Sequence, residues 1–178
     1  MLGRINRIFT SNQNNRRFLL LGALAACLFL ACSSAKNSQK FANTAAEAGM
    51  AEVELGKLAV QRAADPSVKE FAQRMVEDHT RANGQLKTLA GRKNIQLPSD
   101  INSEHKSLME KLSKLSGAEF DKEYMSNMVK DHESAVKDFQ TQASEGNDSE
   151  IKSLAAKTLP TLQSHLQMAR DTAKKVGA

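Results

Sequence analysis

Four polar side chains lie on helix faces that are otherwise apolar, and their types are those that bind transition metals. Three are the imidazoles of His79, His132 and His165, and the fourth is the carboxylate of Glu52. Neutral imidazoles with one carboxylate form a donor set that suits Zn²⁺, Fe²⁺ or Cu²⁺. If the four side chains converge, they predict a site for a divalent transition metal.

Helical spacing predicts that these residues reach a similar depth from four different helices. Glu52 precedes a turn at Asp65 by 13 residues and His79 follows it by 14, so a tight turn there places both at one level. His132 precedes the last turn by 15 residues and His165 follows it by 18. That mismatch of three residues is about 4.5 Å along a helix, which side chains can bridge.

Two aspartates, Asp78 and Asp131, directly precede core-facing histidines. We expect both carboxylates to fix the orientation of an imidazole. Neighbouring helical residues diverge by about 100°, so Asp78 does not easily reach His79 and is expected to contact a ring on another helix. His105 lies in the connection between the second and third main helices, where we expect it to be solvated.

Three other interpretations of the same residues stay open. The four side chains can form a metal-free hydrogen-bond network that fixes helix packing, in a structural or interaction protein. Met75 and Met128, each four residues before a histidine, extend the choice of metal to Cu⁺. An oxidoreductase or hydrolase that uses the metal is the third, although the sequence carries no catalytic motif, so we assign no catalytic residue.

The chain that positions these residues is predicted to be all-α. From Phe41 onward it shows no alternation of period two and is rich in Ala, Lys, Glu, Gln and Leu, which favour helices. Turn and cap residues predict four main helices and one short helix, at about 41–64, 67–91, 102–115, 117–145 and 149–176.

The connection of some 25 residues between the second and third main helices is long enough to return along the bundle. The prediction is therefore a ferritin-like four-helix bundle whose long crossover carries the short helix, with an up-down-up-down bundle as the alternative. The Glu-x-x-His pattern of di-iron proteins is absent, because Val76, Val129 and Leu162 stand three residues before the histidines. Ferroxidase chemistry is thus disfavoured.

The N-terminus is typical of a bacterial lipoprotein signal. Arginines precede an apolar run of 14 residues, 18–31, which is short for a membrane span but suits a signal peptide. We predict a signal peptide over 1–32 that ends at a lipidated Cys32, a flexible tether over 33–40 and a bundle domain over 41–178. Cys27 is the alternative lipidation site.

The lipid anchor makes the membrane the one predicted partner of this chain. Ser33 in place of aspartate after the cysteine favours the outer membrane, with the bundle facing the periplasm. The net charge of +5 includes four arginines and no acid in residues 1–31, so 21 basic and 20 acidic residues remain. Because nucleic-acid binders carry a concentrated basic excess, this balance argues against that class of partner.

Several segments resemble the bacterial family called domain of unknown function 4142, whose members are described as outer-membrane proteins. The similar segments are Ala51–Gly56, Met75–Thr80, Phe120–Met125, Val129–Glu133, Leu159–Pro160 and His165–Leu166. The resemblance covers about residues 41–173 and implies a ferritin-like bundle in the cell envelope. The histidines of the family's motifs fall on His79, His132 and His165, and the resemblance implies no activity.

Overall fold

A computed structural model describes the backbone of residues 14–178 and the side chains of residues 36–178. The described chain has five α-helices and no strand, so the all-α prediction is confirmed. They are α1 (Asn14–Arg62), α2 (Pro66–Lys93), α3 (Ser103–Ser113), α4 (Gly117–Glu145) and α5 (Ser149–Val176). None of them, over the residues described, is both long and apolar enough to cross a membrane. The predicted signal peptide, Cys27 and Cys32 lie outside the described side chains.

Local capping explains why the helix bounds could be predicted. The carboxylate of Asp65 accepts a hydrogen bond of 2.7 Å from the N–H of Ser67, and Pro66 takes the first helical position of α2. Asn94 ends α2 in the left-handed conformation, with φ of 54°. The carboxylate of Asp148 caps α5. The bounds of α4 and α5 coincide with the predicted 117–145 and 149–176.

Residues 33–40, expected as a flexible tether, are part of α1 in the structure. Ser38 is buried, and the side-chain amide of Gln39 donates a hydrogen bond of 2.6 Å to the carbonyl of Gln96. This contact ties the segment to the loop after α2. Helix α1 therefore packs on the bundle before Phe41, where the sequence places its start.

Two helical hairpins, α1–α2 and α4–α5, make up the bundle, with α1 beside α4 and α2 beside α5. Asp121 joins the hairpins at one end, where its buried carboxylate accepts hydrogen bonds from the N–H groups of Ala64 at 3.1 Å and Asp65 at 2.8 Å. Lys175 lies 3.3 Å from the carboxylate of Asp65. The α1–α2 turn thus meets the start of α4 and the end of α5.

Because α4 begins at that turn, the connection after α2 returns along the length of the bundle. Helix α3 lies in this connection and packs against α1 and α4, held by the buried Leu112. The ferritin-like designation itself stays a prediction.

The main apolar core fills the half of the bundle next to the α1–α2 turn. It includes Leu55, Val68, Phe71, Met75, Leu112, Phe120, Tyr124, Met125 and Met128. The opposite half has a smaller cluster of Ala42, Ala46 and Leu86. The larger apolar cluster therefore lies at one end of the bundle and the smaller at the other, and the polar layer predicted from the sequence falls between them.

Candidate metal centre

Three imidazoles meet in the interior, one each from α2, α4 and α5. His79, His132 and His165 are 9%, 1% and 2% exposed, and one potential ligand atom from each lies within 4.8 Å of the others. His79 follows the core residue Met75 by one helical turn, and His132 follows Met128 in the same way. The apolar stripes of these helices therefore carry the rings inward, at the edge of the main core.

The three rings form a nearly equilateral triangle. Their centroids are separated by 5.7 Å for His79–His132, 5.4 Å for His79–His165 and 5.5 Å for His132–His165. With metal–nitrogen bonds of about 2.05 Å, three bound imidazoles have centroids about 5.5 Å apart in a trigonal plane and about 5.2 Å apart at tetrahedral angles. Ring rotation, rather than backbone movement, would bring the nitrogens to the separation of about 3.5 Å that such bonds require.

Hydrogen bonds fix which nitrogen is free in two of the rings. Nδ1 of His132 lies 2.9 Å from the carbonyl oxygen of Met128, and Nε2 of His165 lies 3.0 Å from the carboxylate of Asp78. Both oxygens only accept, so each of these nitrogens donates its proton and the opposite nitrogen keeps its lone pair. Nε2 of His132, Nδ1 of His165 and Nε2 of His79 are buried without a hydrogen-bond partner. Metal-binding histidines are held by this kind of contact at the second nitrogen.

Burial keeps the three rings neutral. It lowers the pKa of His79 to about 3, with a further decrease from the neighbouring His132 and His165. Burial also lowers the pKa of His132 to about 4, although the bond to Met128 opposes the shift. The pKa of His165 is lowered by burial and partly restored by Asp78. Neutral imidazole is the form that binds a metal.

Asp78 contacts a ring on another helix, where the sequence analysis places it. Its buried carboxylate accepts hydrogen bonds from His165 and Arg74, and Arg81 lies 3.1 Å away. Burial raises the pKa of Asp78, but the bonds from His165 and Arg74 outweigh this and leave it below its usual value. Asp78 is therefore an anion that orients His165, and the two arginines neutralise its charge from the outer side.

Glu52 lies beside the triangle rather than in it. It is 6% exposed, and its Oε1 is 3.8 Å from Nδ1 of His132. That nitrogen is on the opposite side of the ring from the free Nε2, and the ligand atoms that lie together come from the three histidines alone. Burial, with a smaller contribution from Asp131, raises the pKa of Glu52 to about 8. The structure thus brings together three of the four predicted ligands and sets a protonated Glu52 behind one of them.

Asp131 faces α3 rather than an imidazole of the triangle. Burial raises the pKa of its carboxyl, and the nearby ring of His105 opposes that shift. His105, predicted to be solvated, is half-buried instead, and its Nδ1 is buried without a hydrogen-bond partner. The proximity of Asp131 to His105 does not follow from the sequence, because the path of α3 over α1 and α4 is not encoded in helical periodicity.

Comparison with known proteins places the fold among helical bundles of bacterial proteins. No curated protein matches the chain. A DUF305 protein from Streptomyces coelicolor matches with a TM-score of 0.67 and 18% identity over 78% of this chain and 91% of its own. A DUF305 fragment from Deinococcus radiodurans matches with a TM-score of 0.69 and 15% identity, over 78% of this chain and 95% of its own.

CopM in its Cu(II)-bound form also has a similar fold. Its TM-score is 0.66 and its identity is 17%, over 78% of this chain and 96% of its own. At identities this low, the structural matches show a shared fold alone. The profile of the family described as domain of unknown function DUF4142 matches residues 31–172, and the chain therefore belongs to that family.

Proposed function

We propose that this protein is a metal-binding bundle of the cell envelope, in which His79, His132 and His165 hold one transition-metal ion. The observation that carries the proposal is the set of three buried nitrogens, one on each ring, that lack a hydrogen-bond partner. A buried polar atom without a partner destabilises a fold by about 1–3 kcal/mol. A bound cation gives all three nitrogens a partner at once.

Copper is our first candidate and zinc our second. Neutral imidazoles suit both ions, and a three-coordinate nitrogen set leaves an open position for one further ligand. Iron oxygenase sites combine two histidines with a carboxylate, and Glu52 is protonated and turned away from the free nitrogens. Structures of CopM, which has a similar fold, contain Cu(II), Cu(I) or Ag.

The metal-free alternative, a network that only fixes helix packing, predicts different contacts for the imidazole nitrogens. In such a network the imidazole nitrogens donate to one another or to Glu52 at hydrogen-bond distances of about 3 Å. The nitrogens left free in the triangle have no such partner, and Oε2 of Glu52 has none either. This observation favours a bound ion over a closed polar network.

Metal analysis of protein purified without a histidine tag tests the proposal. We expect one equivalent of copper or zinc per chain after loading and dialysis, and none after His132→Gln, which removes one of three ligands. Asp171→Asn removes an exposed carboxylate of α5 and serves as the control that keeps one equivalent. A wild-type protein that retains neither metal above the level of His132→Gln would refute the site.

Envelope attachment through Cys32 is the second part of the proposal, supported by the signal pattern of residues 1–32. The Streptomyces coelicolor protein of similar fold is described as a candidate secreted protein. We expect bacterial cells given labelled palmitate to modify the wild-type chain and Cys27→Ser, but not Cys32→Ser. Label that persists in Cys32→Ser and disappears in Cys27→Ser would move the anchor to the alternative cysteine, and no label in any variant would exclude lipidation.

A further inference from the structure

Two openings adjoin the histidine triangle, and they differ in what they reach. A cleft of about 780 Å³, which we call the α1–α4 cleft, is lined mainly by α1 and α4, and α2, α3 and α5 contribute the rest of its surface. Its lining includes all three histidines together with Glu52, Asp78, Asp131 and His105. A groove of about 810 Å³ between α2 and α5 is lined by Asp78 but by none of the three histidines. Of these two openings, the α1–α4 cleft is the one whose lining includes the imidazoles.

The charges of the two openings also differ. The α2–α5 groove is lined by three cationic side chains, those of Arg81, Arg92 and Lys157, and by the carboxylates of Asp78 and Glu150. Glu150 is paired with Arg92, so the excess charge of the groove is small and positive. At its inner end Arg74 and Arg81 already neutralise Asp78, so this side offers a cation little attraction. Cationic walls of low dielectric constant reduce the local concentration of a positive ion.

The α1–α4 cleft has the opposite character. Its outer walls carry Glu104, Asp131, Asp138 and Glu145, and among the described residues that line it Lys40 is the one lysine or arginine. Its inner surface includes buried polar atoms without partners, at Glu52 and His132. The carboxylates of the walls attract a cation, and the unsatisfied nitrogens at the inner end can bind it directly.

We propose that the α1–α4 cleft is the route by which the metal ion reaches the triangle, and that Asp131 and His105 bind the ion transiently on the way. The proposal rests on the function proposed above. One carboxylate and one imidazole are too few ligands for a closed site, because stable zinc sites use three or four protein ligands. An incomplete pair at the wall of the cleft binds the ion weakly and releases it to the three histidines next to it.

The protein carries its own optical reporter for a kinetic test. Tyr124 is the single tyrosine of a chain without tryptophan, and it is fully buried. Its ring centroid is 6.3 Å from that of Phe71, which in turn is 6.3 Å from that of His132. Cu²⁺ bound at the triangle therefore lies close enough to quench the tyrosine emission, and stopped-flow mixing with Cu²⁺ gives the association rate.

We expect Asp131→Asn to slow association with Cu²⁺ by about 3–10-fold at low ionic strength, because charges that line a cleft raise association rates by tenfold or more. His105→Gln should slow it by a similar factor, because the transient site loses its imidazole ligand. The final stoichiometry should stay at one ion, and the affinity should change less than the rate. For Asp131→Asn the difference should shrink in 0.5 M salt, which screens the carboxylate. Asp171→Asn, with the same change of charge on an exposed part of α5, should bind at the wild-type rate.

The outcomes separate this proposal from the function on which it rests. If the wild-type protein binds Cu²⁺ and both variants associate as fast as Asp171→Asn, the route is wrong and the metal site stands. If His132→Gln shows the same quenching as the wild-type protein, or the wild-type protein shows none, the site and the route both fail.

Discussion

Replacing His79 with leucine is expected to stabilise the metal-free protein and to abolish its stabilisation by copper. Nε2 of His79 is buried without a hydrogen-bond partner, so removing it relieves a penalty of about 1–3 kcal/mol. Leucine is close to histidine in volume, and it packs against Met75 in the same stripe without leaving a large cavity. Most substitutions of a buried residue lower the free energy of unfolding, whereas this one should raise it.

The loss of stabilisation by metal is expected to be the larger of the two changes in His79→Leu. An ion present at 100 times its dissociation constant stabilises the wild-type protein by about 2.7 kcal/mol. For a domain of this size that corresponds to a rise in Tm of roughly 10 °C. We expect His79→Leu to show a Tm above that of the wild-type protein in chelator, and no increase on addition of Cu²⁺ or Zn²⁺.

Met125→Leu is the matched control for this experiment, because it exchanges a fully buried core residue of α4 for leucine without altering the triangle. Its Tm should rise with metal as much as that of the wild-type protein. A Tm of His79→Leu that rises with metal to the same extent would contradict the assignment of His79 as a ligand. A lower Tm in chelator would contradict the claim that its nitrogen is unsatisfied.

The second large effect concerns the dependence of metal-free stability on pH. His79 and His132 have pKa values of about 3 and about 4 in the folded protein, whereas an unfolded histidine titrates near 6.5. Below pH 6.5 the unfolded chain therefore binds two protons that the folded protein does not. Acidification should then reduce the free energy of unfolding by up to about 2.7 kcal/mol per pH unit from these two groups.

Glu52 acts in the opposite direction. Its pKa is about 8 in the folded protein and near 4.5 when unfolded, so between these values the folded protein holds the extra proton. Stability should therefore fall by about 1.4 kcal/mol per pH unit as pH rises from 6.5 towards 8. Between pH 4.5 and 6.5 the same proton offsets half of the histidine effect. The groups that face Glu52 are His132, Asp131 and Tyr124.

Glu52→Gln separates the two contributions, because glutamine cannot ionise. Urea unfolding in chelator should give a wild-type maximum of stability near pH 6.5, whereas Glu52→Gln should show no decrease from pH 6.5 to 8. Below pH 6.5 the variant should lose stability about twice as steeply as the wild-type protein. The exposed Glu70→Gln is the control, and it should reproduce the wild-type curve. An unchanged alkaline slope in Glu52→Gln would show that Glu52 is ionised in the folded protein.

The sequence was sufficient to predict the five helices, apart from the start of α1, and the convergence of the three histidines. Cap residues such as Asp65 and Asp148 mark where helices begin, and a histidine one turn after a core methionine must point inward when the helix forms. That Asp78 contacts a ring on another helix was also predictable, because the angle between successive residues excludes His79 as its partner; the structure identifies that ring as His165. These inferences depend only on local geometry.

The position of Glu52 and the surroundings of His105 were not accessible in this way. A helical wheel places Glu52 on the inner face of α1 but does not determine which nitrogen of His132 it approaches, and that choice decides whether it can be a ligand. The burial of His105 depends on where α3 lies across the bundle. That position is set by the packing of the buried Leu112, which lies farther along the same helix. Both are consequences of tertiary packing.

The carboxylate of Asp121, which accepts hydrogen bonds from the N–H groups of Ala64 and Asp65, ties the two hairpins together at one end of the bundle. For any relative displacement of the hairpins we therefore expect an amplitude that grows with distance from that end. The imidazoles lie partway along the bundle, and the mouth of the α1–α4 cleft lies farther out. A swing of a few degrees would widen the mouth more than it separates the rings, so an ion could be admitted while its ligands stay nearly in place.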